Sequence, residues 1–239
     1  MKIKTWLAAA ALTLTAGQAL ATVERYAFTA TITTLWEYDK ASGVITNVNS
    51  STFAGGAVAM TDLVQGTMAF NTDAPLSPYQ PAPQTSGSYV LYQLDSAVSG
   101  ITFKVDTLGF TSGSTLAPLA QVSDNASTFS GWDTFSLSAS KNYDPVMFQD
   151  STIMLFDKTS AAFSSAAMPA RLDLSWFHYA VVSGAWVRQA DGNQMHFDAS
   201  ITSLQALAPV PEPSTVGLFV AGLLGLALAG LHGVRRRLE

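Results

Sequence analysis

The chain has 239 residues, 48% of them hydrophobic and only 12% charged, with 17 Asp+Glu against 12 Lys+Arg and no cysteine. Residues 22–209 keep 15 of those acidic side chains and 7 of the basic ones, a balance that argues against a nucleic-acid partner. Without cysteine there is no disulfide framework, thiolate metal site or thiol nucleophile.

The chain opens with Lys2 and Lys4, an apolar run from Trp6 to Leu14, and Ala19-Leu20-Ala21 before Thr22. Positive start, short apolar run and an Ala-x-Ala end are the layout of a secretory signal peptide over residues 1–21, with Ala19 and Ala21 as the cleavage residues. An uncleaved N-terminal anchor is the other reading of the same residues. Either way the following chain is exported.

From Arg25 to Ile32, Tyr26, Phe28, Ala30 and Ile32 alternate with Arg25, Ala27, Thr29 and Thr31, the period of two that marks a half-buried strand. The same alternation runs through Ile101–Asp106, Thr134–Ser138, Arg171–Trp176 and Met195–Thr202, and predicts Leu172, Leu174 and Trp176 on a core face. Leu63–Phe70, Tyr89–Leu94, Thr152–Phe156 and Ala185–Gln189 read as further strands, rich in the branched and aromatic residues that suit a pleated surface. Pro75, Pro78, Pro81 and Pro83 predict a long exposed loop, Ser160–Ala167 a second loop, and Asp191-Gly192-Asn193 a hairpin turn. About nine short strands predict one all-β domain over residues 22–209, an antiparallel β-sandwich or jelly roll.

The last 30 residues have three parts. Residues 210–214 read Val-Pro-Glu-Pro-Ser; the uncharged span 215–234 is long enough, at about 1.5 Å per residue, to cross a hydrocarbon core of roughly 30 Å as one helix. Arg235, Arg236 and Arg237 follow it. The positive-inside rule keeps those arginines in the cytoplasm and puts residues 22–209 on the other side, the orientation the signal peptide also gives. Gly217, Gly222, Gly225 and Gly230 leave room for close helix approach within the span.

This tail resembles the PEP-CTERM sorting signal of Gram-negative bacteria, in which Val-Pro-Glu-Pro-Ser, one membrane span and a terminal arginine cluster occur in this order. The resemblance implies recognition by an exosortase, an inner-membrane processing enzyme, at Pro211, Glu212, Pro213 and Ser214, with Arg235, Arg236 and Arg237 as the stop signal. It further implies an inner-membrane-anchored precursor, delivery to the cell surface or extracellular matrix, and exopolysaccharide as an associated partner in a biofilm. A plain single-pass anchor with a proline-rich stem is the competing account. Pro211 and Pro213 fix φ and disfavour helix, which presents Glu212 on extended backbone that a processing enzyme can grip.

Chemistry-bearing patterns are sparse. His178 and His196 stand outside any zinc-protease pattern, and neither a Gly-x-Ser-x-Gly elbow nor a phosphate loop occurs. Glu24 and Glu37 are the only glutamates of the 22–209 segment, and aspartates such as Asp39, Asp124, Asp144 and Asp191 fall where turns are expected. No cofactor and no metal is expected. Trp36 and Trp132, beside turn-like residues, are the candidate sugar contacts, because flat aromatic faces beside polar groups suit carbohydrate. The expected protein is therefore a non-enzymatic surface or matrix protein, with a carbohydrate-binding module and a secreted hydrolase as alternatives. The second needs an exposed aromatic platform and the third converging carboxylates.

Overall fold

The computed structural model describes residues 23–208, apart from 84, 114–115 and 143–145. The signal peptide with Ala19 and Ala21, the turn aspartate Asp144, the sorting motif Pro211–Ser214, the apolar span and Arg235–Arg237 lie outside the described residues.

The described chain is all-β. Its strands are β1 (Val23–Asp39), β2 (Val44–Asn47), β3 (Ser50–Ser51), β4 (Val58–Ala59), β5 (Leu63–Asn71), β6 (Ser88–Gln93), β7 (Gly100–Val105), β8 (Leu108–Thr111), β9 (Leu119–Asp124), β10 (Asp133–Asn142), β11 (Met147–Asp157), β12 (Tyr179–Arg188) and β13 (Gln194–Ala206). Instead of two separate sheets, eleven strands form one antiparallel sheet in the order β6-β9-β10-β11-β12-β13-β1-β5-β7-β8, with β2 beside the far half of β1; β3 and β4 make a separate ribbon. Strands β9 to β13 are an up-and-down meander.

The sheet curls on itself, so the core is sandwich-like. Phe70 of β5 meets Phe135 of β10 with ring centroids 5.1 Å apart, and Phe103 of β7 reaches Trp186 of β12 and Phe197 of β13 at 6.2 and 5.7 Å. These strands are not sheet neighbours, so only a curl brings their concave faces together. Strand β1 sits in the bend, and its register against β13 shifts at Thr29/Ala30 and again at Ile32/Thr34. Such bulges bend a strand and raise its twist. The second shift leaves Thr33 and Thr34 both exposed and moves the inward positions from Ile32 to Leu35, so Trp36 turns outward. Gly184 has no Cβ, which lets Trp186 and Phe197 stack at 5.8 Å; an added Cβ would lie 2.8 Å from both rings.

Loops seal the curl at the end where β11 stops and β12 starts. There Asp133 and Asp157, partners in register, are buried and face inward. Asp157 accepts hydrogen bonds from the N–H groups of Thr159, Ala161 and Ala162 and from the Thr159 hydroxyl. Asp133 accepts from Asn125 and Phe163 N–H. The Tyr26 hydroxyl accepts the Leu172 N–H at 2.7 Å, and Phe163, Leu172 and Phe177 pack down on the core. Burial pushes the Tyr26 phenol up to about 12.

Two segments depart from the sequence expectation. Arg171–Trp176 is not a strand: Asp173 accepts from Ser175 N–H and starts a 3-10 turn over Leu174–Trp176. Leu172 still packs inward, but Trp176 is 39% exposed rather than core. The proline segment is only in part a free loop, because it covers the sheet edge at β6. Ser77 N–H donates to Leu91 O, Gln93 N–H to Pro75 O, and the Gln80 amide brackets Leu91 on both sides. Prolines lack the N–H groups a further strand would need, so this cover ends the sheet.

Candidate functional site

Trp36 and Trp132 lie apart. Trp36 is in register with His196, and the rows continue through Ala185 and Asp150 to Ser140 across the convex face. Trp132 precedes β10 at the other end of the strands, edge-on to Phe156, with Lys158 Nζ above its ring at 5.2 Å and above Tyr179 at 4.4 Å. Asp150 to Lys158 alone is about 26 Å of strand at roughly 3.3 Å per residue. The two indoles therefore form no joint platform. One face of Trp36 is also taken, because the His196 ring stacks on it at 4.7 Å and 18°.

That convex face carries a Ser, an Asp and a His together, but wired differently from a hydrolytic relay. Ser183 Oγ donates to Asp198 Oδ1 at 2.6 Å, and His196 Nε2 lies 3.0 Å from the same oxygen. A nucleophilic serine must hand its proton to the imidazole; here the carboxylate stands between them. The hydrogen bond from His196 holds the Asp198 carboxyl below its usual range, against burial and with help from Ser183. Asp150 goes the other way: burial raises its carboxyl, opposed by the Ser140 hydroxyl at 3.2 Å. His178 instead faces Asp157, its Nδ1 2.9 Å from Oδ1. Among the described residues no group of three or more His, Asp and Glu is placed to hold a metal ion, and no helix is long and apolar enough to cross a membrane.

Among the described residues a concavity lies at the open end of the curl, opposite the loop-sealed one. It is a groove of about 440 Å³ lined by Glu37, Tyr38, Asp39, Ser42, Val44, Thr46, Phe53, Arg188 and Asn193. Two turns meet there. The turn after β1 is built by Asp39, whose Oδ1 accepts from Ala41 and Ser42 N–H. The turn after β12 is built by Asp191, whose Oδ1 accepts from Asn193 N–H while its Oδ2 pairs with Arg188 at 3.1 Å; Gly192 supplies φ of +73°. Lys40 N–H donates to Asn193 Oδ1 at 2.9 Å and locks one turn to the other. The Arg188 guanidinium rests over the Phe53 ring at 4.5 Å, and Glu37 takes the Ser51 hydroxyl at 2.5 Å.

Sequence reasoning identified Asp39 and Asp191 as turn residues, and both are. It missed that the two turns adjoin, since the pairing of β1 with β13 joins opposite ends of the chain. It placed Asn193 in a hairpin turn and noted Glu37 without giving either a ligand role, and it missed Phe53 and Arg188, for which no local pattern gave a signal. Comparison with known proteins gives no match to a protein-family model, a curated protein or a solved structure.

Proposed function

We propose that the chain is an exported, non-enzymatic protein of the cell surface or extracellular matrix, released from an inner-membrane precursor by an exosortase and associated with exopolysaccharide. One observation carries this reading: the ordered tail of Val210-Pro211-Glu212-Pro213-Ser214, an uncharged span to Val234 and Arg235-Arg236-Arg237, set against a signal peptide at the other end. The span inserts as one helix and the N-terminal segment as the signal helix. Support comes from the last described strand, which ends at Ala206, with Leu207 N–H still bonded to Arg25 O, three residues in sequence before the motif begins at Val210. In a host carrying an exosortase, Glu212→Ala is expected to trap full-length precursor in the inner membrane with topology unchanged. Release equal to wild type would leave a plain single-pass anchor as the better account.

A second reading, a carbohydrate-binding module, is favoured by the groove with its aromatic ring, amide and carboxylates. Glu37 and Asp39 share that groove, as the hydrolase alternative requires. Asp39 is engaged by its own turn and Glu37 by Ser51, which supports a holding rather than a proton-transferring role. Saccharides incubated with the protein are expected back at their original length; shortened products would make it a hydrolase.

A further inference from the structure

We propose that the groove between the β1–β2 and β12–β13 turns binds a neutral saccharide, contacted by Glu37, Asp39, Arg188 and Asn193, with the exposed Val44 packing against the sugar. This rests on the carbohydrate-module reading and moves its site from the tryptophans to the open end of the curl.

The polar groups are both fixed and incompletely used. Glu37 spends one carboxylate oxygen on Ser51, and Asp39 spends Oδ1 on its turn. Asn193 spends Oδ1 on Lys40, and Arg188 spends Nη1 on Asp191. Among the described residues the second oxygen of each carboxylate, the Asn193 amide nitrogen and the remaining guanidinium donors have no partner within the protein. Each side chain is therefore held by one polar atom and presents another. A ligand meeting such an array pays little to order it.

The pattern of free atoms selects the ligand. Two acceptors stand beside two kinds of donor, and a hydroxyl is the group that both donates and accepts. An anion would meet the Glu37 and Asp39 carboxylates, and a wholly apolar ligand would bury them unpaired. A simple amine would leave the Asn193 and Arg188 donors without acceptors. A sugar ring satisfies both sets and sets its C–H face against the exposed Val44, while Phe53, covered by the Arg188 guanidinium, holds that donor in place. The volume, about 440 Å³, is in the range of small-molecule sites.

The test uses the full chain in a detergent without a sugar headgroup, titrated calorimetrically with cellotetraose, mannotetraose, galactotetraose and chitotetraose. At least one is expected to bind. Glu37→Gln and Asp39→Asn each keep an oxygen for Ser51 or for the turn while turning the free acceptor into a donor, and each is expected to weaken binding about tenfold or more. Matching melting curves show that the variants are folded, and if one is not, the other decides. Affinity unchanged in both variants overturns the proposal. If binding is then lost in Trp36→Ala, the module reading survives with its site on the convex face. If no tetrasaccharide binds wild type, the groove and the module reading fall together.

Discussion

Asp133 and Asp157 lie opposite each other on neighbouring strands, both buried and both facing inward, and each is held by backbone N–H groups of the loops that close that end of the sheet. Two buried carboxylates paired in register call for compensating positive charge. The loops supply partial positive charge, from Asn125 and Phe163 for one carboxylate and from Thr159, Ala161 and Ala162 for the other, and His178 Nδ1 lies 2.9 Å from Asp157 Oδ1. The arrangement turns a repulsive pair into the anchor of the long segment between β11 and β12.

Acid stability follows from that anchor. Burial alone would raise the Asp157 carboxyl, but hydrogen bonds from Ala161, Thr159 and Ala162 overcome it and hold the group at about 2, below the ordinary 3.8. A carboxyl lowered on folding stabilises the protein above its unfolded value and loses that contribution as pH falls through the folded one. Asp157 is thus expected to contribute about 2 kcal/mol at neutral pH, lost between roughly pH 5 and pH 2. Chemical denaturation across that range should show the loss in wild type and a flatter acid limb in Asp157→Asn. Parallel acid limbs would contradict the assignment.

Gln149 and Trp186 are partners in register on the inner face, and Gln149 Oε1 and Trp186 Nε1 are buried without a hydrogen-bond partner. A buried acceptor left unpaired costs roughly 1–3 kcal/mol. Gln149→Met, close in volume, is expected to raise stability by about 1 kcal/mol in urea unfolding. A loss of stability would mean that the amide is satisfied by a bridging water.

Gly184 lies under the stacked rings of Trp186 and Phe197. Gly184→Val should cost on the order of 1–3 kcal/mol by overpacking and lower the melting temperature. A neutral effect would show that the rings separate freely.

The edge cover predicts a different phenotype. Gln80→Ala removes both amide bonds to Leu91 and bares backbone at β6. Concentration-dependent association, followed by light scattering, should increase although the core is untouched. Unchanged scattering would assign the edge protection to Pro75 and Ser77 alone.

The strands that were legible have one face on the core, although β8 and β9, which also have one, are too short to stand out and were missed. Arg25–Ile32 and Met195–Thr202 alternate because their odd and even positions have different solvents. Strand β2 was not legible, because all four of its residues are exposed and no alternation is written into them. Arg171–Trp176 shows the converse: a loop that lays Leu172 on the core copies the strand pattern while Asp173 turns the backbone. The curl was hidden for another reason. It depends on Thr33 and Thr34 sharing one face and on contacts such as Phe103 with Trp186, which no local window contains. The groove was lost with it, since its two turns come from opposite ends of the chain.

Mass spectrometry of intact protein recovered from outside a host that carries an exosortase tests the central claim most directly. The account predicts a single mature form that begins at Thr22 and lacks Arg235, Arg236 and Arg237. A recovered chain that runs through Arg237, or that retains Lys2, would contradict it.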